Sequence, residues 1–328
     1  MSTLTKNNLS RRQFLGGVAG GIFVTGIQAA LPLPAWAVTS PRNIHEGVTN
    51  YPAQNYFDLN FRYSPLVVNG KTGRSTAING TVPAPLVRWR EGEEVTMDVT
   101  NHLEDTEHAS IHWHGILVPF RMDGVPGVNF DGIQPGETFR YNFKVQQAGT
   151  YWYHSHSGMQ EAMGLYGPII IDPAGADPVA YDREHVIVLA DHSALSPQAI
   201  FRRLKVNPGH FNFQRQTLAG LLSGKDQPLK DRLDWGQMRM DPADISDVTG
   251  STYTYLVNGH GPMDNWTALF SPGERVRLRI VNASAMTIFN VRIPGLRMTV
   301  VQADGLNVVP TEIDEFQIAA CQDIEDGR

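Results

Sequence analysis

Only one cysteine, Cys321, occurs among the 328 residues of this sequence. A single thiol cannot close a disulfide within the chain, which excludes a disulfide framework. An excess of basic residues is also missing, because 27 Lys and Arg stand against 33 Asp and Glu, for a net charge of −6. A chain with this balance is not expected to bind nucleic acid or anionic lipid. It is compatible with a surface that attracts cations.

Long hydrophobic runs are scarce as well. The apolar stretch over residues 16–30 is short, rich in glycine and followed by two prolines, so we do not expect a stable membrane anchor. It lies between a twin-arginine pattern at residues 10–15 and Ala35-Trp36-Ala37, which has the form of a cleavage site. We therefore predict that residues 1–37 are a twin-arginine signal peptide that directs the protein to the periplasm. Its removal takes away three basic residues and no acidic one, which changes the net charge from −6 to −9.

The composition favours β structure over helical bundles or disorder. Hydrophobic residues make up 41% of the sequence and charged residues 18%, with 31 Gly and 21 Pro, a balance typical of turn-rich globular folds. Residues 95–101 and 139–145 alternate apolar and polar side chains between turns, as half-buried strands do. Many short strands without recurrent helices predict an all-β fold built from β-sandwiches.

Two domains are expected from the length of the chain. We place the first over residues 45–173 and the second over residues 183–328, with a linker rich in Pro, Ala, Gly and Asp at residues 173–182. The second domain contains a serine followed by proline, a common helix start. This predicts a short helix from Ser196 to about Lys205, and another helix is expected after Pro228.

Two His-x-His pairs lie in the first domain, in Ile-His-Trp-His-Gly at residues 111–115 and in Tyr-Trp-Tyr-His-Ser-His-Ser at residues 151–157. Side chains alternate between faces in a strand, so each pair is expected to point to one side. A single histidine among aromatic residues is more often a hydrogen-bonded core or surface residue. Two such pairs favour a metal site, and imidazole ligands suit copper, zinc, iron or nickel. Spacing alone does not choose among these metals.

The second domain repeats the pattern of the first without its histidines. Asn79-Gly80 followed by residues 91–101 has its counterpart in Asn258-Gly259 followed by residues 271–282, in the same order and at similar spacing. Where the first copy carries its His-Trp-His sequence, the second has Ile-Phe-Asn-Val-Arg-Ile from Ile288. The first domain is therefore predicted to bear the metal, and the second to be a spacer.

The two histidine motifs resemble the first two of the four copper-binding motifs of the multicopper oxidases, the family of laccases, ascorbate oxidases and bacterial copper-resistance oxidases. Residues 119–127 and 235–318 resemble the copper-resistance branch, so the likeness covers nearly all of the chain after residue 45. It implies tandem cupredoxin-like Greek-key β-sandwiches. It also implies a periplasmic oxidase that takes electrons from Cu(I) or a phenolic substrate and reduces dioxygen to water.

The same resemblance assigns roles to individual residues. His112 corresponds to a ligand of the type 2 copper, and the ligands of the type 3 copper pair correspond to His114, His154 and His156. Asp123 matches a carboxylate near the cluster that helps to deliver protons. Because Asp-Gly is common in turns, a purely structural role for Asp123 is the alternative.

In the family, a last sandwich supplies four more cluster histidines and the ligands of the type 1 copper. This sequence has neither the third motif nor a His-Cys-His motif, and no histidine follows His260. We therefore interpret Cys321 as incidental, the type 1 site as absent from this chain, and the divergent residues 317–328 as a truncation or frameshift. The expected partners are copper ions, dioxygen, a small reductant and a third cupredoxin domain or a second copy. The alternative function is a copper-binding or sequestering protein, or an inactive fragment.

Overall fold

The computed structural model describes residues 52–104, 107–207, 210–211, 218–224, 228–238 and 252–327. The predicted signal peptide, residues 1–37, lies outside the described residues. Within the described ranges, strands predominate, as the composition predicts, and no helix is long and apolar enough to cross a membrane. The strands form two successive β-sandwiches, so the predicted all-β fold is confirmed.

The first sandwich consists of two four-stranded sheets, ordered β2-β1-β4-β6 and β3-β8-β7-β5. Their strands are β1 (Tyr56–Val68), β2 (Lys71–Ile78), β3 (Val87–Arg90), β4 (Glu94–Asn101), β5 (His112–His114), β6 (Thr138–Lys144), β7 (Gly149–His154) and β8 (Tyr166–Asp172). Strand β4 alternates as predicted, with Val95, Met97 and Val99 fully buried. Strand β8 is instead buried on both faces, because Ile169 and Ile171 belong to the core of this sandwich while Ile170 packs against Val186 of the second sandwich.

Aromatic side chains fill the space between these two sheets. The ring centroids of Trp89 and Trp113 are 5.4 Å apart, and Phe143 and Tyr141 pack against Trp113 in edge contacts. All four side chains are at most 2% exposed. Burial of a large apolar side chain stabilises a fold by about 1.5–3 kcal/mol. Trp113 therefore anchors the short strand β5, whose other face carries the first histidine pair.

The second sandwich has a six-stranded sheet, ordered β10-β9-β11-β16-β13-β14, and a two-stranded sheet of β12 and β15. Their strands are β9 (Arg183–His192), β10 (Thr254–Val257), β11 (Val276–Asn282), β12 (Phe289–Val291), β13 (Met298–Ala303), β14 (Leu306–Ile313), β15 (Phe316–Ile318) and β16 (Asp323–Gly327). A cluster that includes Leu189, Ile280 and Ile318 joins the two sheets. No regular strand lies between β8 and β9, where the linker is expected.

In the described residues between β9 and β10, the structure has three helices, α1 (Pro197–Val206), α2 (Leu218–Leu222) and α3 (Leu229–Met238). The Ser196 side chain accepts a hydrogen bond from the backbone N–H of Ala199 at 3.2 Å, which satisfies a free donor at the start of α1. The helices predicted after Ser196 and Pro228 are therefore confirmed.

The predicted duplication has a structural counterpart. Asn79 and Asn258 have φ angles of 51° and 50°, which asparagine tolerates better than most residues. Each side chain then bonds the first strand of its own sandwich, Asn79 at Asp58 and Asn60, and Asn258 at Val186 and Val188. In both sandwiches this first strand pairs in parallel with a later one, β1 with β4 and β9 with β11.

Buried charges join the two sandwiches. Arg88 of the first donates to Asp172 at 2.8 and 2.6 Å and also bonds Glu184 of the second. Arg279 donates to Glu184 at 2.8 Å and to Thr150 at 2.9 Å. Glu184 is 1% exposed, so both of its oxygens depend on these guanidinium groups. The network fixes the second sandwich against the sheet that carries the histidine pairs.

Candidate metal centre

Strands β5 and β7 bring the histidine pairs together. They pair antiparallel with His112 opposite His154 and His114 opposite Trp152. Trp113 and Tyr153 point to the other face of the sheet and belong to the core of the first sandwich. The alternation of side chains along a strand therefore places the imidazoles on one face, outside that core.

His156 follows the end of β7 and is held by a group of serine hydroxyls. Its backbone N–H donates to Ser110 Oγ at 3.0 Å, and Ser157 Oγ donates to the same oxygen at 3.0 Å. The N–H of Ser157 also bonds Ser155 Oγ at 2.9 Å. These three serines are at most 3% exposed. They shape the loop so that His156, which is itself exposed, lies beside the other histidines.

The four imidazole rings form one cluster. The ring centroid of His112 lies 5.6 Å from that of His114, 5.5 Å from that of His154 and 4.8 Å from that of His156. Ring nitrogens of His112, His114 and His154 lie within 4.8 Å of one another. His156 adjoins this set through its ring, with its centroid 4.9 Å from that of His154.

A main-chain carbonyl orients His112. The Nδ1–H of His112 donates to the carbonyl oxygen of Asp123 at 2.7 Å, which leaves Nε2 as the lone-pair donor. The next residue, Gly124, has a φ of +79°, and a methyl group there would overlap the carbonyl oxygen of Ile111. Only glycine therefore fits beside Asp123 at this point of the backbone. The Asp123 carboxylate lies 3.4 Å from the same His112 nitrogen. Asp123 thus adjoins the cluster, as its place in the sequence suggested.

A carboxylate orients His154. The Nδ1–H of His154 donates to Glu161 Oε2 at 2.8 Å, so its Nε2 faces the cluster and lies 3.2 Å from Nδ1 of His114. The ring of His154 also stacks on Trp152, at a centroid distance of 4.1 Å and an angle of 10°. Sequence reasoning missed Glu161. It lies seven residues after His154 on a 3-10 turn, and no periodic spacing relates a turn residue to a strand residue.

Three of the four histidines favour their neutral form. Burial, followed by the nearby imidazoles of His154 and His112, lowers the pKa of His114 to about 4. Burial also lowers the pKa of His112, although its bond to Asp123 opposes the shift. Desolvation of the ring lowers the pKa of His156. Neutral imidazole is the form that binds metal, so the cluster is ready to accept a cation near neutral pH.

The donor set fits a transition metal that prefers nitrogen. Nδ1 of His114 and Nε2 of His154 approach to 3.2 Å, and Nε2 of His112 is free to face them because its Nδ1 is engaged. Two of these rings are fixed by hydrogen bonds from their second nitrogen, to a carbonyl and to a carboxylate, as is usual for metal-binding histidines. Hard cations such as calcium and magnesium prefer oxygen ligands instead.

Two other histidines of the described residues make ordinary polar contacts. His102 bonds Asn60 at 2.9 Å, and His185 bonds the carbonyl of Leu269 at 3.0 Å. The thioether of Met163 lies 4.0 Å from the hydroxyl of Thr76. Cys321 is exposed.

Comparison with known proteins identifies related chains. Two family models, both described as multicopper oxidase, match residues 60–176 and 228–325. The copper resistance protein A homolog of Pseudomonas syringae pv. tomato is 45% identical over 95% of this chain and 53% of its own length. Copper resistance protein A of Escherichia coli is 45% identical over 95% of this chain and 51% of its own. This chain therefore spans about half the length of these curated relatives.

The solved structures agree in fold. The laccase from Botrytis aclada superimposes with a TM-score of 0.63 at 29% identity, covering 84% of this chain and 47% of that one. This chain is therefore similar to the laccase in both sequence and fold. The predicted cupredoxin-like sandwiches are confirmed by this likeness.

Proposed function

This chain belongs to the multicopper oxidase family, and from that premise we propose that His112, His114, His154 and His156 hold copper. His112 would serve a type 2 copper, and the other three would serve a type 3 pair. The observation that carries the proposal is the convergence of ring nitrogens from His112, His114 and His154 within 4.8 Å. Bound copper would supply one-electron chemistry and a site for dioxygen.

The protein groups around the cluster position it and move protons. The Asp123 carbonyl fixes the ring of His112, and the Glu161 carboxylate fixes the ring of His154. The Asp123 side chain is 36% exposed while it lies 3.4 Å from Nδ1 of His112. A carboxylate in this position can take a proton from solvent and hold it beside the cluster. We assign Asp123 this role in the reduction of dioxygen.

Oxidase activity would need the ligands of the family's third motif and of its His-Cys-His motif, which residues 1–328 do not contain. Exposed apolar side chains on the segment that follows His114 support a partner there. Leu117, Phe120 and Val128, on the connection between β5 and β6, are 65%, 67% and 66% exposed. A third cupredoxin domain or a second copy would cover such a surface. The complete oxidase would act in the periplasm, on Cu(I) or a phenol, in copper resistance.

Copper binding without oxidation is the second candidate function. It is favoured by the single cysteine, Cys321, which lies 61 residues after the last histidine, His260. In this case the chain would sequester copper, and no electron donor would be required. What distinguishes the two functions is whether a further domain or subunit supplies the His-Cys-His ligands and gives oxygen uptake with the copper-loaded chain.

The test of copper binding is a Cu(II) titration of the purified chain, in competition with a chelator. Binding should weaken strongly in H112A and H154A, since each loses a converging donor. H210A is the matched control, because His210 is exposed and packs only near Phe211 among the described ring contacts. Equal affinity for wild type, H112A and H154A would refute the assignment.

Localisation is tested separately through the predicted signal peptide. Replacing Arg11 and Arg12 with lysine should leave the protein in the cytoplasm. Undiminished protein in the periplasmic fraction would refute export by the twin-arginine pathway.

A further inference from the structure

A turn of the second sandwich reaches the strand that carries the second histidine pair. The hairpin turn between β13 and β14, at Asp304-Gly305, packs against β7, where the Tyr151 hydroxyl lies 3.4 Å from the Gly305 carbonyl. A methyl group built on Gly149 would lie 2.5 Å from that carbonyl, and one built on Gly305 would overlap the ring and hydroxyl of Tyr151. The two sandwiches therefore touch here with no room for a side chain.

Tyr151 in turn contacts the loop that follows His114. Gln147 Nε2 donates to the Tyr151 hydroxyl at 2.9 Å and to the Gly115 carbonyl at 2.8 Å. The Oε1 atom of Gln147 accepts the N–H of Leu117 at 3.0 Å. A methyl group on Gly115 would lie 3.1 Å from the Tyr151 ring. Gln147 thus holds the carbonyl of Gly115 and the N–H of Leu117, and Tyr151 holds Gln147.

His114 needs such support because of its place in the sheet. It is the last residue of β5, a strand of three residues at the edge of the sheet, and only β7 pairs with it. Short edge strands have few ladder hydrogen bonds to keep them in register. A shift of the turn at Gly115 would therefore move the ring of His114, whose Nδ1 lies 3.2 Å from His154.

We propose that the Asp304-Gly305 turn is a positioning element for the histidine cluster. It holds Tyr151 in place, and Tyr151 with Gln147 holds the Gly115 turn so that the ring of His114 stays beside that of His154. This inference rests on the proposed copper function. It gives the second sandwich, which has no histidine pair, a part in metal binding.

The test compares G305A with G295A in the full chain. Both glycines lie in turns of the second sandwich with positive φ, +72° and +84°, so both substitutions introduce similar backbone strain. Only Gly305 faces a side chain, since nothing lies within 4 Å of a methyl group at Gly295. We expect G305A to weaken Cu(II) affinity by about tenfold to a hundredfold, the usual effect of losing support behind a ligand. G295A should keep wild-type affinity.

Electron paramagnetic resonance of bound Cu(II) separates positioning from general destabilisation. The G305A spectrum should differ from wild type in its hyperfine splitting, whereas a merely less stable protein would give an unchanged spectrum from its folded fraction. Q147L leaves the Gly305 contact intact and removes the bonds to Gly115 and Leu117, so it should shift the spectrum in the same direction even where G305A fails to fold.

A double variant tests whether Tyr151 transmits the effect. In a Y151L background, G305A should cause no additional loss of affinity, because residues that act through one contact are not additive. Wild-type affinity and spectrum in folded G305A would overturn the inference, and so would wild-type affinity and spectrum in Q147L. Failure of the wild type to bind copper, or full binding by H114A, would instead refute the proposed function.

Discussion

His154 Nδ1 lies 2.8 Å from Oε2 of Glu161, and this contact selects Nε2 of His154 as the nitrogen that faces the other histidines. His112 is oriented by a different kind of acceptor, the main-chain carbonyl of Asp123. One histidine of each pair is therefore fixed by a hydrogen bond from its second nitrogen. The acceptor for His154 is a side chain and that for His112 belongs to the main chain, so substitutions of Glu161 and of Asp123 should differ in their effect on copper affinity.

Removal of the Glu161 carboxylate should weaken copper binding. E161A leaves Nδ1 of His154 without its acceptor, and we expect a loss of Cu(II) affinity of about tenfold to a hundredfold. E161Q should lose less, because its amide oxygen can still accept the hydrogen bond. Chelator competition measures both. E94Q, at an exposed position on β4, is the control, and an E161A affinity equal to that of E94Q would contradict the assigned role.

Substitution of Asp123 should affect proton transfer and leave copper affinity unchanged. In D123N the main-chain carbonyl still accepts the hydrogen bond from His112 at 2.7 Å, so the ligand keeps its orientation. Cu(II) affinity of D123N should match that of wild type. In the complete oxidase, oxygen reduction by D123N should slow. A large loss of copper affinity would show that the side chain, rather than the carbonyl, positions His112.

The stability of the metal-free protein should fall with pH below about 6.5. The pKa of His114 is about 4 in the folded chain against an ordinary value of 6.5. Between pH 4 and pH 6.5 the unfolded state binds more protons than the folded state. The free energy of unfolding therefore rises with pH across this range and decreases as the pH drops toward 4. Urea unfolding of wild type and H114A across this range measures the effect. If the free energy of unfolding of H114A depended more steeply on pH than that of wild type, the assigned effect of His114 would be contradicted.

Copper binding should resist acid more than free imidazole does. Burial lowers the pKa of His112 and His114, so protons compete with metal for these two rings only at lower pH. We expect the contribution of His114 to Cu(II) affinity, measured by comparing wild type with H114A, to persist below pH 6.5 and to be lost as the pH falls toward 4. A midpoint near 6.5 in the pH titration of affinity would show that the rings behave as exposed histidines.

The charge network between the sandwiches should contribute strongly to folding. E184A removes the acceptor shared by Arg88 and Arg279, which leaves two buried guanidinium groups incompletely paired. Breaking a buried ion pair in this way costs about 3–5 kcal/mol. R297A removes an exposed pair with Glu312 and should change stability by less than about 1 kcal/mol. Denaturant unfolding compares them, and equal losses would contradict this account.

The features of the fold that could be predicted from the sequence are those set by residues close together in the chain. Alternation along strands such as β4 indicated their buried faces, and the same alternation indicated that each histidine pair would share a face. Ser196 followed by Pro197 predicted α1 because a helix start is set by adjacent residues. The Asn79-Gly80 turn and its copy at Asn258 could be recognised because a repeat preserves its own spacing.

The contacts that support the cluster could not be predicted in this way. Glu161 meets His154 through a turn whose path depends on tertiary packing. Gly305 and Tyr151 are 154 residues apart, and no pattern in either segment refers to the other. In the sequence, Glu184 is a single polar residue at the start of an apolar strand. Its burial could not be predicted because it depends on Arg88 and Arg279, which lie on other strands.

The most direct test is the visible spectrum and oxygen uptake of the purified chain after loading with Cu(II). We expect a pale copper signal that disappears when His112, His114, His154 and His156 are replaced together with alanine. We also expect no sustained oxygen uptake with a phenolic donor. An intense blue charge-transfer band with continued turnover would contradict it, as would an unchanged copper signal in the variant without the four histidines.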